Sequence, residues 1–255
     1  MRVGVFGAGG RMGTTVCRAV AEDPDLELVA AVDPHHAGAE VCGAVVSDTA
    51  EALEDAGAHV AIDFTVAVAA RENLRWCAEH GVHAVVGTTG LTDEDLDEVR
   101  SRFRGGHANV VVAPNFAIGA VLMMRFAELA APWFETAEVI ELHHDGKKDA
   151  PSGTAMLTMA RMAAASEEWG ADPTTNTVVP GARGGEGPAG IRVHSVRLKG
   201  LVAHQEVLLG TTGESLVLRH DSYDRSSFMP GVLMAVKAVP TRAGLTLGLD
   251  ALLGI

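Results

Sequence analysis

The sequence has few aromatic residues and no excess of positive charge. Aromatic side chains make up 4% of the 255 residues, so the core has to be built from Ala, Val, Leu, Ile and Met. The chain carries 33 acidic and 20 basic residues, for a formal net charge of −13. This charge opposes nonspecific binding to nucleic acid or to anionic membranes. An anionic ligand therefore requires a local cluster of cationic groups.

The sequence also lacks paired cysteines and long apolar runs. Cys17, Cys42 and Cys77 form no CxxC pair, which excludes a disulfide framework or a zinc ribbon and favours a reducing compartment. The longest uncharged apolar stretch, 116–124, is shorter than the ~20 residues of a membrane span. Glycines interrupt the apolar start MRVGVFGAGG, which argues against a signal peptide. We therefore expect a cytoplasmic protein with no nucleic-acid or membrane partner.

The first half of the chain alternates short apolar runs with amphipathic segments. The apolar runs lie at 3–7, 26–33, 60–64, 83–89 and 109–116. Their continuous apolar character is typical of parallel strands buried on both faces. The segment 92–103 between two of them predicts a helix, because Thr92 is followed three residues later by Asp95. This alternation predicts an α/β fold with a Rossmann-type parallel sheet.

The second half has a different pattern. Strand-like runs lie at 137–144, 190–200, 201–210 and 214–222. Glycine turns join several of them, which predicts an α+β domain with a mixed or antiparallel sheet. The glycine-rich segment 180–190 predicts a mobile surface loop. The chain ends with a helical pattern and a strand-like GLTLGL, so we predict two domains, 1–116 completed by 224–255, and 117–223.

Residues 7–13 read GAGGRMG, directly after the first predicted strand. Gly7, Gly10 and Gly13 are in phase, and Gly9 supplies the middle glycine of a GxGxxG pattern. Such a loop lets the backbone approach a pyrophosphate, while the following helix offers unpaired N–H groups. The pattern therefore indicates a dinucleotide site, with a tight turn that binds nothing as the alternative.

Asp33 ends the second predicted strand, where an acidic side chain accepts hydrogen bonds from an adenosine ribose. A carboxylate there favours NADH, because it repels the 2′-phosphate of NADPH. Arg11, His35 or His36 could partly neutralise that phosphate, so NADPH also stays open. Two further stretches, VGTTG (86–90) and APNFAIG (113–119), end predicted strands and are either ligand-binding loops or simple turns.

The segment ELHHDGKKDAPSGTA (141–155) gathers many polar groups in an apolar chain. His143 and His144 are neighbours and point to opposite faces of a strand, so they cannot easily chelate one metal ion. We predict no metal site. The segment DAPSGTA is a helix start, with Asp149 or Ser152 as the cap and Pro151 in the first turn.

The N–H groups at Ser152, Gly153 and Thr154 would then lie at the positive end of a helix dipole, just after Lys147 and Lys148. This arrangement is typical of a carboxylate receptor, and a histidine beside it can exchange a proton near neutral pH. A capped helix preceded by a solvated charged loop is the alternative.

These segments resemble the signature blocks of the 4-hydroxy-tetrahydrodipicolinate (dihydrodipicolinate) reductase family of lysine and diaminopimelate biosynthesis. The matching blocks include VGVFGAGGRMG, VVGTTG, APNFAIG, ELHHDGKKDAPSGTA and HDSYDRSSFMPGV, in family order and over nearly the whole chain. The resemblance implies reduction of a cyclic dicarboxylate with NADH or NADPH by a homotetramer. It also implies a Rossmann domain completed by the end of the chain, and a second domain for substrate binding and oligomerisation.

The resemblance also implies roles for individual residues. His143 and Lys147 of the HHxxK pattern correspond to the catalytic proton donors. The implied substrate contacts are His144, Ser152, Gly153 and Thr154. The implied cofactor contacts are Gly7, Ala8, Gly9, Gly10, Arg11, Met12, Asp33, Gly87, Thr88, Thr89, Ala113, Pro114, Asn115 and Phe116. Several questions stay open. They are how Lys147 and Lys148 share their task, whether 181–190 closes over substrate, and whether NADH or NADPH is preferred. The alternatives are another two-domain dehydrogenase, such as a semialdehyde or amino-acid dehydrogenase, and a protein that only senses NADH.

Overall fold

The computed structural model describes residues 1–105, 107–166 and 168–255. The chain divides into two compact units, the first made of Met1–Ile118 and Phe228–Ile255 and the second of Gly119–Ser227. The sequence predicted that the first domain ends at 116 and resumes at 224, and the first compact unit ends at Ile118 and resumes at Phe228. No helix in the described ranges is long and apolar enough to span a bilayer.

The first unit is built on an eight-stranded sheet. Its strands are β1 (Arg2–Phe6), β2 (Glu27–Val32), β3 (Glu40–Val41), β4 (Ala44–Ser47), β5 (Val60–Asp63), β6 (His83–Val86), β7 (Val110–Val112) and, from the end of the chain, β13 (Leu245–Leu247). Their order is β13-β7-β6-β5-β1-β2-β4-β3. All pairs are parallel except the β3–β4 hairpin. The predicted Rossmann-type sheet is confirmed.

Helices connect these parallel strands. The helices of the first unit are α1 (Arg11–Glu22), α2 (Glu51–Asp55), α3 (Ala67–His80), α4 (Asp93–Arg102), α7 (Met229–Ala238) and α8 (Asp250–Leu253). The predicted start of α4 is confirmed, because Thr92 and Asp95 form a reciprocal capping box. The sequence pattern did not reveal β3, β4, α2 or α8, which are short and carry little periodic signal.

The second unit holds a five-stranded sheet in the order β12-β11-β8-β10-β9. Its elements are α5 (Ile118–Ala130, which begins at the boundary), β8 (Thr136–His143), α6 (Gly153–Ala165), β9 (Gly185–Glu186), β10 (Arg192–Arg197), β11 (Ala203–Thr211) and β12 (Glu214–Ser222). The β8–β10 pair is parallel and the others are antiparallel, so the predicted mixed sheet is confirmed. Short 3-10 turns lie at Phe103–Gly105, Ala131–Trp133, Pro188–Gly190, Arg225–Phe228 and Val239–Thr241.

Side chains on one face of this second sheet form the core of the unit. The buried residues include Val139 of β8 and Val207 of β11, packed with Met159 and Met162 of α6. Because side chains alternate along a strand, Glu141 and His143 lie on this helix-covered face with Val139. The face is therefore apolar at its centre and carries charged groups toward the end of β8.

Two local expectations need correction. The glycine-rich segment 180–190 is not loop throughout, because Gly185 and Glu186 form β9 and pair with β10. Pro151 does not lie in the first turn of α6, because Ser152 is the N-cap and accepts a hydrogen bond from the Ala155 amide at 3.2 Å. Asp149 is therefore not the cap. Its carboxylate is bonded instead to Lys147.

Candidate active site

The glycine loop of the first unit follows β1 and leads into α1. Gly7 adopts a φ of +68°, which glycine tolerates best. A Cβ on Gly13 would overlap the Gly7 carbonyl oxygen, so the helix can approach the loop only if this residue is glycine. The Gly10 amide donates to that same carbonyl at 3.0 Å. These contacts hold the loop in a compact turn.

The N-terminus of α1 is open to an anion. Gly10 is its N-cap and provides no side-chain cap, and its first turn contains no acidic residue. The first N–H groups of a helix have no partner within the helix and attract negative charge. Arg11 is exposed, Met12 is half-buried and Ala8 is buried beneath the loop. This cradle fits the pyrophosphate of a dinucleotide.

Asp33 follows β2, at the same edge of the sheet as the glycine loop. Its side chain is buried, and it accepts hydrogen bonds from the Gly9 amide at 3.1 Å and the His35 amide at 3.0 Å. The Nδ1 atom of His36 lies 2.9 Å from Asp33 Oδ2. A Cβ on Gly9 would overlap the His36 ring. The carboxylate is thus fixed beside the loop, with a histidine next to the predicted ribose site.

A second carboxylate at this edge, Asp63, was not among the predicted site residues. It is buried at the end of β5 and accepts from Thr65 Oγ1 at 2.7 Å, Asn73 Nδ2 at 2.7 Å and Thr88 Oγ1 at 2.9 Å. The Thr65 amide also donates to it at 2.8 Å. The Thr88 hydroxyl therefore ties Asp63 to the VGTTG loop, and Thr65 and Asn73 supply the other uncharged donors to this carboxylate.

Aromatic rings pack against the VGTTG and APNFAIG loops. A Cβ on Gly87 would overlap the Phe64 ring, and this ring lies 5.6 Å from the ring of Phe116 between centroids. Thr88 is buried and Thr89 is exposed. After β7, Ala113 is buried and donates to the Val86 carbonyl at 3.0 Å.

The rest of the APNFAIG loop is partly accessible. Pro114 is exposed and Asn115 is half-buried. Asn115 Oδ1 accepts from the Ala117 amide at 2.9 Å, which leads the chain into α5. The predicted cofactor residues thus follow β1, β2, β6 and β7 at the carboxyl edge of one parallel sheet, where ligands of such sheets bind.

In the second unit, His143 ends β8 and contacts a buried glutamate. Glu141 is 0% exposed, and its Oε2 lies 2.5 Å from His143 Nδ1. Arg197 donates from Nη1 to Oε2 and from Nη2 to Oε1, both at 2.9 Å. Arg197 also donates to the Asp149 carbonyl at 2.6 Å, so this cluster is tied to the segment before α6.

The cluster shifts the pKa values of its members. Burial lowers the pKa of the His143 imidazole below its ordinary value, and the Glu141 carboxylate opposes that shift. Burial acts to raise the pKa of the Glu141 carboxyl, but hydrogen bonds from Arg197, Ser195 and His143 outweigh it. The pKa of Glu141 therefore lies below its ordinary value. Glu141 therefore stays ionised at neutral pH beside the His143 ring.

The two lysines of the segment differ. Lys147 is half-buried, and its Nζ donates to both Asp149 carboxylate oxygens at 2.8 and 2.7 Å, which lowers the pKa of Asp149. Lys148 is exposed. His144 follows the end of β8, is exposed, and accepts at its carbonyl from the Lys147 amide at 3.2 Å.

The Ser-Gly-Thr segment forms the start of α6. Ser152 is buried, and its hydroxyl accepts from Ala155. Gly153 is the first helical residue, and the space where its Cβ would stand is open within 4 Å. The Thr154 carbonyl accepts from Thr158 Oγ1 at 2.8 Å. The open side of Gly153 gives a ligand access to the positive end of the helix.

Comparison with known proteins agrees with this arrangement. Residues 1–116 match the description "Dihydrodipicolinate reductase, N-terminus", and residues 119–253 match "Dihydrodipicolinate reductase, C-terminus". The chain belongs to the dihydrodipicolinate reductase family.

Similar full-length relatives bear the name 4-hydroxy-tetrahydrodipicolinate reductase. One from Nocardia farcinica is 52% identical, covering 100% of this chain and 99% of the relative. One from Cutibacterium acnes is 51% identical with the same coverage. A solved structure, the dipicolinate-bound dihydrodipicolinate reductase from Paenisporosarcina sp. TG-14, is 38% identical, with a TM-score of 0.88 and 98% coverage of both chains.

Membership of this reductase family implies a nicotinamide cofactor and a small-molecule substrate. The cradle at the start of α1 fits the cofactor, because its N–H groups are uncapped. Sequence reasoning missed Glu141, Asp63 and Arg197. A signal for Glu141 was present, since a residue two positions before His143 on a strand shares its face.

Proposed function

We propose that the chain catalyses the NAD(P)H-dependent reduction of 4-hydroxy-tetrahydrodipicolinate to tetrahydrodipicolinate, in lysine and diaminopimelate biosynthesis. The observation that carries this proposal is the contact between His143 and the buried Glu141, in a chain of the dihydrodipicolinate reductase family. This contact supplies a proton-exchanging imidazole to a unit that also offers a helix N-terminus at Gly153.

Loss of the substrate's hydroxyl group together with a proton from the neighbouring ring carbon releases water and leaves an unsaturated ring, to which the reaction adds one hydride and one proton. A reduced nicotinamide cofactor, which the glycine loop (7–12) and Asp33 would hold, would supply the hydride to a ring carbon. His143 donates the proton from Nε2 to the electron pair displaced in the ring and is left neutral, with its remaining proton on Nδ1. Glu141 accepts a hydrogen bond from Nδ1 throughout, so the imidazole is held in place as its charge changes.

The substrate carries two carboxylates and needs cationic partners in a chain of net charge −13. We assign the Gly153 amide, with Ser152 and Thr154 beside it, to one carboxylate, because the space at Gly153 is open. Lys147 serves as a charged contact and as the alternative donor of the same proton, and His144 contacts the substrate. Substrate binding then has to draw Lys147 away from Asp149.

For the cofactor, we propose that NADH is used in preference to NADPH. The buried Asp33 carboxylate would repel a 2′-phosphate, while its hydrogen-bonded position beside Gly9 suits the ribose hydroxyls. When the His36 ring is protonated, it places a positive charge next to the Asp33 carboxylate. Measured kcat/KM values for the two cofactors decide this point, and a higher value for NADPH contradicts it.

We also propose a homotetramer assembled through the second unit. The face of its sheet opposite α6 carries Ile140, Leu142 and Leu208, all partly exposed, and Val217, which is 53% exposed. We assign the contact with a second copy to this apolar part of the face. The charged groups of the same face, Glu138 with His194 and Arg183, lie toward β10 and β9 and would stay in water at the rim of the contact. Sedimentation equilibrium should give four times the 26.5 kDa chain mass, and a monomer mass contradicts the assignment.

The activity is tested by following NADH absorbance with substrate formed in situ from pyruvate and aspartate semialdehyde. We expect oxidation by the native protein, and a kcat lower by ~10²–10⁴-fold in His143→Ala with a smaller change in KM. His194→Ala is the matched control, because this histidine contacts Glu138 on the opposite face of β8. If cofactor binds but its absorbance does not change, the chain is a sensor rather than a reductase.

A further inference from the structure

We propose that Glu141 is the positioning residue of the reductase, holding His143 in the tautomer that leaves Nε2 available for the substrate. This inference rests on the proposed function, in which His143 exchanges the proton. Nothing in the family resemblance assigns a role to Glu141, and its carboxylate is too deeply buried to meet a ligand itself.

Strand geometry creates the contact. Glu141 and His143 are two residues apart on β8 and therefore share a face. The neighbouring strand β10 is paired so that Glu141 is opposite Ser195 and His143 is opposite Arg197. The Glu141 carboxylate is thus held between an imidazole on its own strand and a guanidinium on the next.

The contact determines which imidazole nitrogen carries a proton. An ionised carboxylate only accepts hydrogen bonds, so Nδ1 of His143, 2.5 Å from Glu141 Oε2, has to be the donor. In the neutral imidazole Nε2 is then the unprotonated nitrogen, and in the imidazolium its proton is the one free to leave. The ring itself is about one-sixth exposed, at 16%, so a substrate can reach it.

Arg197 keeps the carboxylate from taking that proton. Its two terminal nitrogens donate to both oxygens of Glu141, and such paired, charge-assisted bonds favour the ionised acid. The charged groups near His143 are Glu141 on its own strand, Arg197 on β10 and Lys147 in the following segment. Glu141 is the only anion among these three, and it supports the imidazolium against two cations.

Strand β8 also provides a matched control. Glu138 contacts a histidine and an arginine on the opposite face, through His194 Nε2 at 2.7 Å and Arg183 Nη2 at 2.6 Å. This carboxylate is 34% exposed, and it contacts the other ring nitrogen. Glu138→Gln therefore makes the same chemical change on the same strand without touching His143.

The test compares the pH profiles of kcat and KM for native protein, Glu141→Gln, Glu141→Asp and Glu138→Gln, after checking that each has the native oligomeric mass and is fully folded at the assay temperature. For Glu141→Gln we expect kcat to fall by at least ~10²-fold with little change in KM. The descending limb of kcat should move to lower pH, because removal of the anion lowers the pKa of His143. Glu141→Asp should recover part of the rate, and Glu138→Gln should match the native profile.

A measurement on the native protein keeps the test independent of folding. Histidine ¹⁵N NMR, with His143 assigned by its loss in His143→Asn, should show a neutral ring protonated on Nδ1. Protonation on Nε2 overturns the proposal, as does an active Glu141→Gln variant with the native pH profile. If the native protein itself fails to oxidise NADH with substrate, the proposed function fails instead, and the tautomer still reports on the contact.

Discussion

Each face of strand β8 presents a glutamate that binds a histidine and an arginine, and the two trios differ in burial. In the inner trio, Glu141 is 0% exposed and binds His143 and Arg197. In the outer trio, Glu138 is 34% exposed and binds His194 and Arg183. The residue types and distances are nearly the same, so the difference lies in the solvent that surrounds them.

That difference decides what each trio can do. Water screens the outer charges, so such ion pairs contribute little to stability. In the inner trio the charges are desolvated, so the loss of one partner leaves a buried charge without compensation. The inner histidine therefore responds to its glutamate in a way that the outer one does not, which suits a group that has to change its proton during a reaction.

The largest effect should follow from removal of the inner arginine. Arg197→Met leaves the buried Glu141 without its cation, and we expect the free energy of unfolding to fall by ~3–5 kcal/mol. Arg183→Met, the counterpart on the outer face, should cost ~1 kcal/mol or less. Urea unfolding of the two variants measures both values at one pH.

Equal losses of stability in the two variants would contradict this expectation. They would mean that burial does not make the inner arginine more important for stability than the outer one. Arg197→Met should also lower kcat more than the loss of stability explains, since Arg197 holds the Asp149 carbonyl as well. Activity assayed well below the unfolding temperature separates these two effects.

The sequence predicted the elements that depend on local patterns. The Thr92–Asp95 capping box, the Ser152 start of α6 and Asp33 after β2 all rest on residues close together in the chain. Glu141 and Arg197 are 56 residues apart, and Asp63 and Thr88 are 25 apart. These contacts exist only once the strand order and register are set, and no local pattern encodes them.

A smaller effect is expected at Asp63, the buried carboxylate of the first unit. All its donors, from Thr65, Asn73 and Thr88, are uncharged. Asp63→Asn replaces one acceptor oxygen with a donor, and we expect a loss of ~1–3 kcal/mol in stability and weaker cofactor binding. Calorimetric titration with NADH measures the affinity. The pH profile of kcat should stay that of the native protein, because Asp63 has no charged partner. A shift like that of Glu141→Gln would contradict this expectation, because it would mean that a carboxylate bound only by uncharged donors also affects proton transfer.

The smallest effect should be at Lys148. This prediction tests which of the two lysines is linked to the inner trio. Lys147 is linked to that trio, because its ammonium binds the Asp149 carboxylate and Arg197 binds the Asp149 carbonyl. Lys148 is exposed, so Lys148→Ala should keep kcat and KM within ~2-fold of the native values, as for an ordinary surface substitution. Lys147→Ala should instead lower kcat and raise KM. A large loss in Lys148→Ala would mean that this lysine turns toward the substrate during the reaction, and that the link through Asp149 does not decide which lysine acts.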